Sequence, residues 1–234
     1  MCNLEKIIKP IYLLADSQLL FYSNRDGLFL DRIKKLFNGD IKDIEIKAAY
    51  IGASNNDNPQ YYEIFQMALQ QIDIHNCRMI KSDPDAADTI FLKNSDIILL
   101  AGGDVEKGWE TIRRNGWNRI ITERYTSGAI LIGISAGAIQ LGLREFEEHV
   151  DTKRGKDLDS LRLVPFIIDV HTDDLWQGLK EHLLSEGNGA QGIGIPKGAG
   201  LAYYSDESLK AIRFECIEFH NLNNRIQQSF IQPS

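Results

Sequence analysis

Two kinds of hydrophobic pattern alternate along this chain. Short blocks that are apolar at nearly every position occur at 11–15 (IYLLA), 48–51 (AAYI), 96–101 (DIILLA) and 130–134 (ILIGI). Such blocks read as strands buried on both faces, as in a parallel sheet. Between them, apolar residues recur at helical spacing. Leu28, Leu30, Ile33 and Phe37 form one such face, and Ile64, Phe65, Ala68 and Leu69 form another within 61–72. Further helices are predicted over 105–114 and 117–126, and a short strand over 78–80, with Asp83-Pro84 opening the connection after it.

Beyond Leu143 the character changes. Residues 144–160 are dense in charge and read as a surface excursion or a short strand pair. Residues 163–170 are apolar again, and 175–184 has a helical face carrying Leu175, Leu179, His182 and Leu183. Segments 192–195, 200–204 and 209–213 read as strands at the sheet edge, followed by an irregular C-terminal tail from about residue 222. The alternation predicts one doubly wound α/β domain over 1–234: a mostly parallel central sheet with helices on both faces, flavodoxin-like in plan.

Composition narrows the function classes. At 234 residues the chain is long enough to bury a two-sided sheet. A net charge of −7 argues against nucleic acid or an anionic membrane surface as partner, since like charges repel. No run reaches the ~18 apolar residues of a membrane span, and the N-terminus lacks the apolar core of a signal peptide. Cys2, Cys77 and Cys216 are an odd number without close spacing, so neither a disulfide framework nor a zinc motif is expected. The expectation is a cytoplasmic protein with no metal and no cofactor. A homodimer is its candidate assembly.

The chemistry centres on residues 128–138, GAILIGISAGA. An apolar strand runs into Gly-x-Ser-x-Gly and then into helix-compatible residues, the context of a nucleophile elbow at Ser135. The N–H groups at the start of the following helix, Ala136 first among them, face the place where an oxyanion would form. Such a short motif also arises by chance, as a turn that only connects two elements. A serine hydroxyl needs a neighbouring base. Of the five histidines, His171 follows an apolar strand and should stand at its carboxyl end, on the rim where Ser135 also lies. The acid that would orient it has many candidates: Glu145, Glu147, Glu148, Asp151, Asp157, Asp169, Asp173 and Asp174. Gly102-Gly103-Asp104, ending another apolar strand, can offer a second oxyanion donor.

The residues AAYIGAS (48–54), IILLAGGD (97–104), GISAGA (133–138), LVPFIIDVH (163–171) and GIGI (192–195) together resemble the dipeptidase E and cyanophycinase family of serine peptidases. That family is a branch of the class I glutamine amidotransferase-like fold. The resemblance implies hydrolysis of a peptide or isopeptide bond in a small peptide through an acyl-serine, with aspartyl specificity. By position it implies Ser135 as nucleophile, His171 as base, and Gly103 and Ala136 as oxyanion donors. It places the acid among Glu147, Glu148 and Asp151, with Glu148 first and Asp151 second. Gly102, Asp104 and Asp169 are the candidate substrate contacts.

The chain also departs from the family pattern. Val105 follows Gly-Gly-Asp where cyanophycinases have glutamine, and Thr172-Asp173-Asp174 follows the histidine where they carry aromatic and basic residues. Ala101 and Asp104 differ from the flanks of the dipeptidase E glycine motif. Acidic residues there would repel an acidic substrate group. Two other functions compete. Glutamine amidotransfer needs a cysteine at the elbow, where this chain has Ser135. A non-catalytic binding protein on the same fold would lack a carboxylate within reach of His171.

Overall fold

The computed structural model describes residues 8–25, 27–37, 45–143, 160–172 and 175–233. In chain order, strand β1 (Ile11–Leu14) leads through the hairpin β2 (Ser23–Asn24) and β3 (Gly27–Leu28) to helix α1 (Phe29–Lys35). Then come β4 (Lys47–Ile51), α2 (Pro59–Gln70), β5 (Asn76–Ile80), α3 (Ala86–Lys93) and β6 (Ile97–Leu100). Helices α4 (Val105–Arg114) and α5 (Trp117–Thr126) precede β7 (Ile130–Ile134) and α6 (Ala136–Leu141). The remainder is β8 (Ile167–Val170), α7 (Gln177–Glu186), β9 (Gln191–Ile195), β10 (Gly200–Tyr203), β11 (Leu209–Ile212), β12 (Cys216–Asn221) and β13 (Ile226–Ile231).

The main sheet has the order β11-β10-β1-β7-β6-β4-β5. Its five strands from β1 to β5 are parallel, and β10 and β11 add on antiparallel beside β1. This is the doubly wound α/β arrangement. Alternation along each strand sorts its side chains onto two faces. Tyr12, Leu14, Tyr50, Leu99 and Ile132 pack with Phe29, Leu30 and Ile33 of α1 and Phe65 and Leu69 of α2. Leu13, Ile51, Leu100 and Leu131 pack on the opposite face with Leu92 of α3, Trp109 of α4, Trp117 and Ile121 of α5, and Leu141 of α6.

Three features differ from the expectation drawn from the sequence. Strands β8 and β9 do not join the main sheet; they pair in parallel inside a second sheet of order β13-β12-β9-β8. One face of that sheet puts Ile168, Val170, Ile193 and Ile195 into the α3–α6 side of the core. Its other face is covered by Trp176 and by Leu179 and Leu183 of α7. The tail from about 222 is not irregular: Ile226–Ile231 pairs with Cys216–Asn221 as an antiparallel hairpin. Finally, α3 is a helix where only a connection was expected. Asp85 caps it by accepting from the Asp88 N–H at 2.7 Å, and the buried Asp88 in turn binds the Arg78 guanidinium at 2.7 Å. Among the described residues, no helix is long and apolar enough to cross a membrane.

Candidate active site

The site lies where β1, β6 and β7 end. Gly133 pairs with Leu13 on one side and Leu100 on the other, so β7 is central and fully buried. The chain leaves it through Ser135, with φ 51° and ψ −113°. That backbone is strained for a residue with a side chain, at roughly 1–3 kcal/mol. The turn is held by the Ser135 N–H donating to the Leu14 carbonyl at 2.8 Å. Helix α6 starts at once, and its packing explains the second glycine of the motif. A Cβ on Gly137 would lie 2.1 Å from the Leu100 carbonyl oxygen, so only glycine lets α6 settle onto β6.

His171 arrives from the second sheet as the first residue past β8. It too has a positive φ, 46°, and its N–H donates to the Ile195 carbonyl at 2.8 Å. The contact between the two elements is the bond that matters: Ser135 Oγ and His171 Nε2 are 2.8 Å apart. Ser135 is half-buried and His171 exposed. A hydroxyl and an imidazole at this distance can exchange a proton directly.

The expected oxyanion donors flank the same spot. Ala136 is the first residue of α6, where helical N–H groups have no partner within the helix. Gly103 has φ +136°, and a Cβ on it would lie 2.1 Å from the Ser54 carbonyl oxygen. That carbonyl accepts the Asp104 N–H at 2.8 Å, which pins the glycine loop. A second tie comes from α6 itself: the Gln140 amide donates to Ser54 Oγ at 3.2 Å and to the Val105 carbonyl at 2.9 Å.

Beside the serine–histidine pair opens a cavity of about 580 Å³, on the α1–α2 side of the main sheet. Gly102 and Gly103 line it along with Ser135 and His171. Asp104 has a structural role: its carboxylate accepts the Lys107 N–H at 2.8 Å and caps α4. Asp169 is buried on β8, where its Oδ1 accepts the Thr172 hydroxyl at 2.8 Å. Glu148 and Asp151, with Glu147, lie outside the described residues.

Several cavity residues were not anticipated from the sequence: Asp16, Asn55, Tyr61, Ile64, Phe65 and Lys197. Asp16 had a usable signal, since it lies two residues past β1 at a strand's carboxyl end. Its two carboxylate oxygens accept N–H groups of Gln18 at 3.0 Å and Gly198 at 2.8 Å, tying the loop that carries Lys197 to the exit of β1. Asn55 donates to the Tyr50 hydroxyl at 2.9 Å. Burial pushes that hydroxyl up to about 12, so it is neutral at physiological pH.

Fold and site together define a doubly wound α/β protein with a serine–histidine pair at a strand-to-helix elbow. The chain belongs to peptidase family S51, a family of serine peptidases, whose model matches residues 8–210. It is 27% identical over 122 residues to the "uncharacterized peptidase YgaJ" of Bacillus subtilis (strain 168), a match covering 52% of this chain and 51% of that protein. The chain thus spans about half the length of that relative. Among solved structures it resembles a peptidase from an acI-B1 Actinobacterium, with a TM-score of 0.66 and 17% identity over 96% of this chain and 95% of the other. A putative peptidase E from Listeria monocytogenes EGD-e gives a TM-score of 0.62 at 17% identity, over 88% and 98% of the two chains. At that identity the structural likeness speaks for the fold alone.

Proposed function

We propose that this protein is a serine hydrolase that cleaves a peptide or isopeptide bond in small peptides, with Ser135 as its nucleophile. The observation that carries the reading is the 2.8 Å contact between Ser135 Oγ and His171 Nε2 at the mouth of the cavity. His171 takes the hydroxyl proton as Oγ attacks the carbonyl carbon. The N–H groups of Gly103 and Ala136 receive the developing oxyanion. Collapse of the tetrahedral intermediate breaks the C–N bond, and His171 returns the proton to the leaving amine. Water, deprotonated by His171, then attacks the acyl ester and releases the carboxylate product and free Ser135.

An acid on the far side of the imidazole completes the proposal. Glu148 is the first candidate that the family resemblance implies, with Asp151 second. A cytoplasmic location also belongs to this reading, in keeping with the free thiols of Cys77 and Cys216.

The test is labelling of the intact protein with a fluorophosphonate, followed by peptide mapping. Labelling at Ser135, lost in both Ser135→Ala and His171→Ala, is the expected result. An unlabelled wild-type protein would overturn the reading and leave a binding protein on a peptidase fold.

A further inference from the structure

We propose that the cavity beside Ser135 is a side-chain pocket for an apolar residue, aromatic or long aliphatic, next to the scissile bond of a short peptide, and is not built for an aspartyl residue. The inference rests on the serine-hydrolase reading above and adds the substrate class.

The pocket's position makes it part of the reaction site, because Ser135 and His171 are in its wall. Its volume of about 580 Å³ suits a peptide residue and lies within the ~300–1,000 Å³ of small-molecule sites. Its interior is made by Leu20, Tyr50, Ile64, Phe65, Leu99 and Ile134. Leu20, Tyr50, Phe65, Leu99 and Ile134 belong to the α1–α2 face of the main sheet, and Ile64 is the half-buried neighbour of Phe65 on α2, so the pocket opens into one side of the hydrophobic core. Tyr61, 49% exposed on the first turn of α2, stands at the entrance.

Charge points the same way. Among the described residues, the acidic, basic and imidazole side chains in the wall are Asp16, Lys197 and His171, beside the phenols of Tyr50 and Tyr61. His171 is engaged with Ser135. Asp16 presents a carboxylate whose oxygens already accept two backbone N–H groups, and its negative charge repels an acidic side chain. Lys197 is exposed, and Gly198, the residue after it, donates to Asp16. Beyond Lys197, Asp16 and His171, a carboxylate entering the pocket would exchange water for neutral hydroxyls, one amide and hydrocarbon, and no arginine fork lines the wall among these residues. An apolar side chain loses only unfavourable hydration.

The experiment measures binding to Ser135→Ala protein, so that turnover is not required. Dissociation constants for Phe-Gly and Gly-Phe are compared with those for Asp-Gly and Gly-Asp by calorimetry. The expected result is that at least one phenylalanyl peptide binds about tenfold or more tightly than either aspartyl peptide, in line with burying one aromatic side chain. Ile64→Asp in the same background should abolish that ratio, and Tyr61→Ala, an exposed position, should reduce it about threefold or more. Equal or tighter binding of the aspartyl peptides, no binding of either phenylalanyl peptide, or a ratio unchanged in folded Ile64→Asp or Tyr61→Ala protein would overturn the proposal. Fluorophosphonate labelling of wild-type Ser135 reports separately on the nucleophile. A labelled enzyme with no apolar preference would sink the pocket assignment alone, and an unlabelled one would sink the hydrolase reading.

Discussion

Gln140 reaches across from α6 to Ser54, donating to its hydroxyl at 3.2 Å and to the Val105 carbonyl at 2.9 Å. Both side chains are buried, at 2% and 5% exposure. Ser54 also accepts the Asp104 N–H through its own carbonyl, so one contact links α6 to the loop that carries Gly103. Ser135, the proposed nucleophile, and Gly103, an expected oxyanion donor, are therefore held in register by a side chain whose amide bonds go to Ser54 and Val105.

Replacing that amide tests the linkage. Gln140→Leu keeps the volume but removes the donor, leaving the buried Ser54 hydroxyl and Val105 carbonyl without it. The expected cost is about 1–3 kcal/mol, a fall in melting temperature of roughly 3–10 °C. Fluorophosphonate labelling at Ser135 should slow as well. Wild-type labelling in a destabilised variant would confine Gln140 to a packing role.

The strain at Ser135 predicts a trade between stability and activity. At φ 51° and ψ −113° a glycine is relaxed, whereas an alanine keeps the penalty. Ser135→Gly should raise stability by about 1 kcal/mol relative to Ser135→Ala, while both lower turnover by ~10⁴ or more. Thermal melts of the two variants decide it. Equal melting temperatures would mean that the elbow stores no strain.

Gly103 admits no side chain. With φ +136° and a Cβ position 2.1 Å from a backbone oxygen, Gly103→Ala must displace the loop and its N–H. Loss of one oxyanion donor costs about 10²–10³ in turnover, so kcat should fall by that factor with a smaller change in KM. Unaltered kcat would remove Gly103 from the oxyanion site.

Alkaline pH should unfold the protein through its buried phenols. Burial raises Tyr50 and Tyr125 to about 12, above the ordinary value near 10 that they recover on unfolding. Above pH ~10 the unfolded state releases these protons and the folded state holds them, so stability falls as pH rises. The loss continues to pH ~12, where the folded hydroxyls ionise too. Melting temperature against pH should decline over that window, and more gently in Tyr125→Phe.

The acid can be located by three substitutions. Glu148→Gln is expected to lower turnover by about 10³–10⁴ with KM little changed, as an amide cannot stabilise the imidazolium. Glu147→Gln should stay active. Collapse in Asp151→Asn with an active Glu148→Gln would move the role to Asp151.

By itself the sequence determined the parts whose causes are local. Runs such as Ile97–Leu100 and Ile130–Ile134 are apolar at almost every position because both faces are buried, and that pattern is visible without a partner. The spacing of apolar residues marks α1 and α2, and Gly133-Ile134-Ser135-Ala136-Gly137 announces its own turn. Helix α3 was harder to read: it is short, its cap is an aspartate pair, and Ile90 on it is 62% exposed, so its apolar face is faint. Only the tertiary structure decided what depends on distant segments meeting. A strand's pattern reports that it is buried, not beside which strand, so β8 and β9 could not be assigned to a second sheet. The alternation in β12, where Phe219 and Asn221 are buried and Glu218 and His220 are not, gained meaning only once β9 lay beside it. The cavity has the same origin. Leu20, Phe65, Leu99 and Ile134 read as ordinary core residues in the sequence, and they become a pocket only because the sheet ends beside them.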